Sequence, residues 1–330
     1  MERENWKIGD PKDGQNPVLL EDGSIDYFKH RLAADPDGVA ALTGPQRERR
    51  VELLIEESNF ILDYAINRHL WEEGKNLAGI VGLFSGGNDS TVLCHVMLDR
   101  LTHLAHANTT IGVEDTRVFV RNTAALWGKP LMEFKPPHER DHFRALVLDQ
   151  GFPGPGHHFK MYQRLKERPL REVRRQLVTS RKDRVVFVAG RRRTESARRA
   201  NVPMMEREGS IVFVSPMVNW TKLDLNTYRL MRGDVPVNQV TDLLHMSGEC
   251  LCGSFAHAGE LDEIAMWYPD VAQEIRDLEV EIADRCDIPD QRKTWGWGAN
   301  AKVKASKTGA LCSSCDARWA QSQMFEEVGK

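Results

Sequence analysis

The apolar positions of the chain change period several times, and each change marks an element. From Pro45 to Trp71 the residues Val51, Leu54, Ile55, Phe60, Ile61, Tyr64 and Ala65 recur near helical spacing, which predicts one or two helices. The run AGIVGLF (78–84) is short and continuously apolar, as expected of a strand buried on both faces. It stops at Ser-Gly-Gly-Asn-Asp-Ser (85–90), and DSTVLCHVMLDRL then continues with helical spacing. The alternation goes on: LAHANTT (104–110) reads as a strand, GVEDTRVFVRNTAALWG as a helix stopped by Gly128, and PLMEFKP as a strand. RVVFVAG (184–190) and SIVFVSPM (210–217) are two further strands. Strands separated by helical patterns predict parallel pairing. The expected fold is therefore α/β, a doubly wound, mostly parallel sheet with helices on both faces. In such sheets ligands bind beyond the carboxyl ends of the strands, so the turns after the first, second and fourth strands are the first places to look.

The two ends differ from this pattern. Residues 1–45 are rich in Pro, Gly and Asp with little periodicity, and after residue 246 cysteine pairs, Trp267, Trp295, Trp297 and a helical stretch from Glu260 to Cys286 replace the strands. The organisation expected is an N-terminal extension with helices over 1–75, an α/β domain over 76–245 and a Cys-rich helical C-terminal module over 246–330. The 41% hydrophobic and 28% charged composition is that of a globular chain, and no apolar run reaches the roughly 20 residues that span a bilayer. The start, MERENWKIGDPKDGQNP, lacks the apolar core of a signal peptide, so a cytoplasmic protein without membrane contact is expected.

Charge changes the picture locally. The net charge is only −3, yet Lys160 to Arg199 holds 15 Lys or Arg against four acidic residues, a balance of +11 that leaves −14 for the rest. Within it, GRRRTESARR is interrupted by Gly and Ser, which favours binding of a polyanion or of nucleotide phosphates over a merely solvated helix face. The turn after the first strand has matching chemistry. Gly86 and Gly87 let backbone turn sharply against a ligand, while Ser85, Asp89 and Ser90 stand where a helix start presents free N–H groups to an anion. Neither G-x-x-x-x-G-K-[ST] nor G-x-G-x-x-G is present; a plain helix cap with packing glycines is the competing account of this turn.

SGGNDS resembles the S-G-G-x-D-S motif of the PP-loop ATP pyrophosphatases, and the surrounding chain resembles their phosphoadenosine phosphosulfate (PAPS) reductase-like branch. Four more segments match in order: HANTTIGVEDTRVFV, LKERPLREV as a K-x-x-P-L segment, AGRRRTESARRA as G-x-R-x-x-E-S, and SPMVNWTKLDLNTYRLMRGDVPVN as P-x-x-x-W-x-x-x-D-x-x-x-Y with a G-x-P-x-N exit. The resemblance covers roughly 78 to 255. It implies a Rossmann-like PP-loop fold binding an adenine nucleotide, with Ser85, Gly86, Gly87, Asp89 and Ser90 around the phosphates and Asn108 and Thr109 near the adenosine. It further implies that Lys166, Arg192 and Arg199 neutralise phosphate or sulfate, and that Gly190, Glu195 and Ser196 hold that loop. Asp89, Lys166 and Arg192 become the expected catalytic residues. Asn88 stands where relatives often carry Lys, which removes one positive charge.

Of six cysteines, Cys250 and Cys252 form one close pair and Cys312 and Cys315 another, with 59 residues between the pairs. Four thiols in two pairs suit a Cys₄ set for a [4Fe–4S] cluster or for zinc, or two redox dithiols; the resemblance favours the cluster, with zinc as the alternative. Cys94, on the apolar side of a helix, and Cys286, at a helix end, read as structural.

The leading expectation is an enzyme that binds ATP with Mg²⁺, breaks the α–β bond, adenylylates an acceptor and releases pyrophosphate in sulfur transfer. Relatives do this on tRNA bases or the DNA backbone, so nucleic acid on the basic 160–199 segment and a sulfur-donor protein, a cysteine desulfurase or a thioredoxin-like one, are the expected partners, in a homodimer or complex. A sulfonucleotide reductase acting on adenylylsulfate or PAPS is the alternative. Reductases of that kind carry adjacent cysteines before K-x-x-P-L or an E-C-G-x-H tail, where this chain reads HHFKMYQRLKERPL and ends CDARWAQSQMFEEVGK. A non-catalytic nucleotide-binding subunit of a modification complex is the third expectation.

Overall fold

The computed structural model describes residues 35–196 and 199–299. Cys312, Cys315 and residues 1–34 of the expected N-terminal extension lie outside them. In chain order the elements are α1 (Pro36–Ala41), α2 (Gly44–Ile66), β1 (Asn76–Leu83), α3 (Asn88–Val96), β2 (His103–Ala107), α4 (Glu114–Leu126) and β3 (Leu131–Phe134). There follow α5 (Phe143–Gln150), α6 (His158–Tyr162), α7 (Arg168–Leu177), β4 (Asp183–Val188), β5 (Met205–Glu208), β6 (Ile211–Val214), α8 (Lys222–Arg232), α9 (Gln239–Leu244), α10 (Glu260–Trp267) and α11 (Pro269–Ile282). Single π-helical turns extend α2 over Asn67–Trp71 and join α6 to α7 over Gln163–Glu167.

The strands form one six-stranded sheet in the order β3-β2-β1-β4-β6-β5. β1 runs parallel to β4, with Gly82 opposite Val188, and β4 runs parallel to β6. The α/β, mostly parallel architecture is as the apolar runs require. One strand departs from the all-parallel pattern: β5 pairs antiparallel to β6, Met205 opposite Val214. Its sequence, MERE, is charged and its outer half exposed, so it shows neither an apolar run nor alternation. The single helical stretch expected from Glu260 to Cys286 is two helices. Pro269 disfavours helical backbone at Tyr268, which lies at φ −135°, ψ 66°, and α11 begins at the proline.

The chain folds as two compact units. Of the described residues, the first comprises 35–83, 89–104 and 177–236. Its core is Ile80 and Val81 of β1, Val185 to Val188 of β4, Val212 and Val214 of β6, and Leu54, Ile61 and Leu62 of α2, all buried. Polar groups fasten α2 to α8 through this core. The Arg50 Nε donates to Asp224 at 2.9 Å with both side chains fully buried, and Arg50 Nη2 reaches the Asn219 carbonyl at 3.2 Å. Asp224 also accepts the Thr221 N–H and hydroxyl, closing the cap of α8. Of the described residues, the second unit comprises 84–88, 105–176 and 237–299, with a core of Phe143, Leu146, Val147, Phe152, Met161, Ile264, Ile275, Leu278 and Trp295.

Removing one partner of a fully buried ion pair leaves the other charge without compensation. Asp224→Ala is expected to lower unfolding free energy by about 3–5 kcal/mol, and Arg50→Met with Asp224→Leu to recover much of it. Urea denaturation of the variants checks this; equal stability of Asp224→Ala and wild type would contradict it.

Candidate functional site

In the first unit the candidate residues gather where β1 and β4 end, beside each other. Gly190 follows β4 and lies against the first turn of α3. A Cβ there would stand 3.0 Å from the Asp89 carbonyl oxygen and 3.3 Å from the Ser90 nitrogen, tighter than an ordinary contact, so glycine lets the two backbones approach this closely without a shift. Two residues on, Arg192 donates to a single Asp89 oxygen from Nε at 3.0 Å and from Nη2 at 2.9 Å. Its Nη1 reaches the Thr194 hydroxyl at 3.1 Å, and that hydroxyl donates to the Trp220 carbonyl at 3.2 Å. Arg199 pairs with Glu195 at 3.5 Å, both largely buried. The Ser196 hydroxyl is buried with no hydrogen-bond partner among the described residues. Asp89, Ser90, Gly190, Arg192, Glu195, Ser196 and Arg199 thus belong to one unit. The sequence reading passed over Lys222, the first residue of α8. The charges acting on it are those of Asp89, Arg192, Arg229 and Glu195, and packing around it lowers its pKa.

The second unit holds Ser85, Gly86 and Gly87. Gly86 has φ +74°, its carbonyl accepts from Asn238 Nδ2 at 2.9 Å, and a Cβ on it would meet Thr116 Cγ2 at 2.8 Å. Asn108 and Thr109 follow β2, but their side chains are buried and engaged. Asn108 donates to Glu133 at 3.1 Å and accepts the Thr110 N–H at 3.0 Å. Arg121 holds Glu133 by two bonds of 2.8 Å and, outweighing burial, pulls its pKa down to about 2. Lys166 lies on the π-helical turn between α6 and α7, half-buried.

A buried acid–base cluster that the sequence reading missed organises this unit. His106 Nδ1 lies 2.8 Å from the Phe84 carbonyl and Nε2 lies 3.1 Å from Glu249 Oε2. Both partners can accept, an arrangement that favours a hydrogen on each ring nitrogen and with it the imidazolium form. Burial opposes that charge, but the Glu249 hydrogen bond and charge, the Phe84 carbonyl and the Glu133 charge outweigh it and raise the His106 pKa. Glu249 also accepts the Thr109 N–H at 2.8 Å, and its carbonyl accepts the Thr109 hydroxyl. Backbone bonds Val113 N to Gly248 O and Leu251 N to Ile111 O complete the lacing. Gly87 approaches the same segment, since a Cβ on it would lie 3.3 Å from Ser247 Cβ.

The cysteine pair continues this segment. The Cys250 and Cys252 thiols hydrogen-bond to each other, Cys252 is buried, and its Sγ lies 3.3 Å from the Ser254 hydroxyl. The neighbouring Cys250 thiol, with burial, pushes the Cys252 pKa well up. A cavity of about 20 Å³, near the size of a water, is lined there by Met246, Cys250, Phe255, Ala256 and Glu260. Two converging sulfurs fit half of an S₄ set. Among the described residues no group of three or more His, Cys, Asp or Glu side chains could hold a metal ion. Cys94 is fully buried in the first unit, its thiol pKa raised by burial, as a small packing residue should be.

The basic segment is more compensated than its composition suggests. Arg164 and Arg168 pair with buried Asp141, Arg171 with Glu167, Arg175 with Glu172, Arg184 with Glu73, Arg191 with Glu206, Arg192 with Asp89 and Arg199 with Glu195. Among the described residues no helix is long and apolar enough to cross a membrane.

A family model described as "Phosphoadenosine phosphosulfate reductase domain" matches residues 79–246. That is half of the chain, and the chain belongs to this family. Among solved structures, a crystal structure of phosphoadenylyl-sulfate (PAPS) reductase from Candida auris, as a phosphate complex, aligns at 18% identity over 62% of this chain and 93% of that one, with a TM-score of 0.42. No curated protein matches the chain.

The His106–Glu249 pair gives stability a direction with pH. A folded-state pKa above the unfolded value, near 6.5, means the native state binds the proton more tightly, so this contribution is complete below about pH 6.5 and is lost as pH rises through the raised value. Urea unfolding between pH 6 and 9 should show that decline in wild type and a smaller one in His106→Asn. Identical profiles would contradict the assignment.

Proposed function

We propose that the chain binds ATP through Ser85–Ser90 and the Gly190–Arg199 loop, cleaves it at the α–β bond, and uses the adenylylated acceptor in sulfur transfer, with nucleic acid as the acceptor class. The observation that carries this choice within the family is the state of the thiols. A reductase needs an accessible thiolate to attack sulfur; among the described residues Cys252 and Cys94 are buried with raised pKa values, Cys250 is half-buried against Cys252, and the exposed Cys286 lies in the turn after α11, outside the glycine turn and the loop after β4. The Cys250–Cys252 pair suits a metal-binding role better than that of a nucleophile.

In this reading an acceptor oxygen attacks the α-phosphorus, the bond to the bridging β-oxygen breaks, and pyrophosphate leaves. A sulfur nucleophile then forms its bond to the activated acceptor atom as AMP departs with the acceptor oxygen. Arg192 stabilises charge developing on the phosphorus oxygens, with Lys166 as the second cation by the family pattern, and Asp89 fixes the guanidinium plane. Mg²⁺ bound with ATP would neutralise the leaving pyrophosphate. Cys250 and Cys252 would supply two of four ligands to a [4Fe–4S] cluster or zinc, with Cys312 and Cys315 as the other two. A sulfonucleotide reductase is the second reading, favoured by the family model that the chain matches.

Purified protein given α-labelled ATP and Mg²⁺, with tRNA or DNA, should release AMP and pyrophosphate. Arg192→Ala should lower that rate by about 10²-fold or more. Sulfite release from adenylylsulfate with thioredoxin, and no AMP from ATP, would transfer the assignment to the reductase. Metal analysis after anaerobic purification should find iron or zinc in wild type and a loss of most of it in Cys250→Ser.

A further inference from the structure

The cations at the Asp89 corner are not equivalent. Arg192 places two nitrogens on Asp89, Arg191 pairs with Glu206 at 2.6 Å, and Arg199 pairs with Glu195. Arg193 is directed to the Val202 carbonyl and to Asn219 Oδ1, both at 3.3 Å. Lys222 is packed closely enough for its pKa to fall yet keeps an exposed surface, and its side chain makes no ion pair or hydrogen bond among the described residues. Its position is nonetheless tied to the same corner. Thr194 bridges Arg192 to the Trp220 carbonyl, and the Arg193 N–H donates to the Val218 carbonyl at 3.0 Å, so the 190–196 loop is laced to the segment that leads into Lys222.

We infer that Lys222 binds the phosphate oxyanions of the nucleotide at this corner, a role that rests on the adenine-nucleotide reading above. An incoming phosphate shares Arg192 with Asp89, whereas the ammonium of Lys222 has donors to offer without breaking an existing pair. The charges around it are balanced, Asp89 and Glu195 against Arg192 and Arg229, so Lys222 supplies the local excess of positive charge. The end of α8 is not itself the anion site, because Asp224 already accepts the Thr221 N–H and the Thr221 hydroxyl accepts the Asp224 N–H. Lys222 is here a binding residue, and it contributes charge rather than shape.

Equilibrium binding of ATP with Mg²⁺ and of adenosine, to wild type, Lys222→Met and Lys222→Arg, tests this. ATP affinity should fall about tenfold to a hundredfold in Lys222→Met, return to within a few-fold of wild type in Lys222→Arg, and adenosine affinity should stay unchanged. Thermal midpoints of the variants should match wild type, since the side chain is exposed. Wild type binding ATP with Lys222→Met binding it equally well would overturn the role of Lys222 and leave the nucleotide reading standing. Equal losses of ATP and adenosine would show that Lys222 shapes the pocket, and would overturn the charge role. If wild type binds no ATP, the nucleotide reading falls and Lys222 falls with it.

Discussion

Two backbones pass at residue 190 too closely for a side chain to fit without a shift. The exit of β4 lies against the first turn of α3 closely enough that any Cβ at Gly190 would press on the Asp89 carbonyl. Much of the first unit follows from that approach. It brings Arg192 within reach of Asp89, and through Thr194 it brings the same loop onto the segment before α8. The fully buried Arg50–Asp224 pair then fixes α8 against α2, so Lys222 starts from a rigid base. A site assembled in this way depends on packing as much as on the charges it displays.

The second unit solves a different problem, that of holding an acidic side chain beside two thiols. Glu249 is almost completely buried and immediately precedes Cys250, and it is held by His106, the Thr109 amide and, at 3.4 Å, Arg117. Without partners a carboxylate so placed would be costly to bury. With these partners it anchors the 246–252 segment to the end of β2. Ser247 in that segment lies against Gly87, and Thr116, which donates to the Ser247 carbonyl, also accepts from the Asn238 amide that holds Gly86. The glycine turn and the thiol pair are therefore held by one continuous set of contacts within one unit.

The sheet and the glycine turn were legible because they are written in local pattern. AGIVGLF is apolar without interruption since β1 is buried from Ile80 onward, and the glycines mark a turn that needs positive φ at Gly86. β5 was not legible, because an edge strand of charged residues satisfies its backbone without displaying an apolar period. His106 and Glu249 are separated by 143 positions, and only the pairing of β2 with the chain after α9 brings them together. Lys222 carries no motif of its own; its meaning comes from neighbours supplied by α3 and the loop after β4.

Charge composition was the least transferable part of the sequence reading. The excess of Lys and Arg over 160–199 counts residues, whereas a polyanion meets only cations whose partners can be displaced at low cost. Asp141 is fully buried and takes both Arg164 and Arg168, so those guanidinium groups are fixed inward as much as they are displayed. Exposed pairs such as Arg171–Glu167 and Arg175–Glu172 are worth little individually and exchange readily for phosphate. The face of α7 that carries Arg171 and Arg175 is thus where the positive charge of the segment is least committed to fully buried partners, while Arg191, Arg192 and Arg199 are committed around the loop after β4. The same run of basic sequence is therefore held to different degrees along its length, and burial of the partner carboxylate decides which guanidinium is fixed and which stays exchangeable.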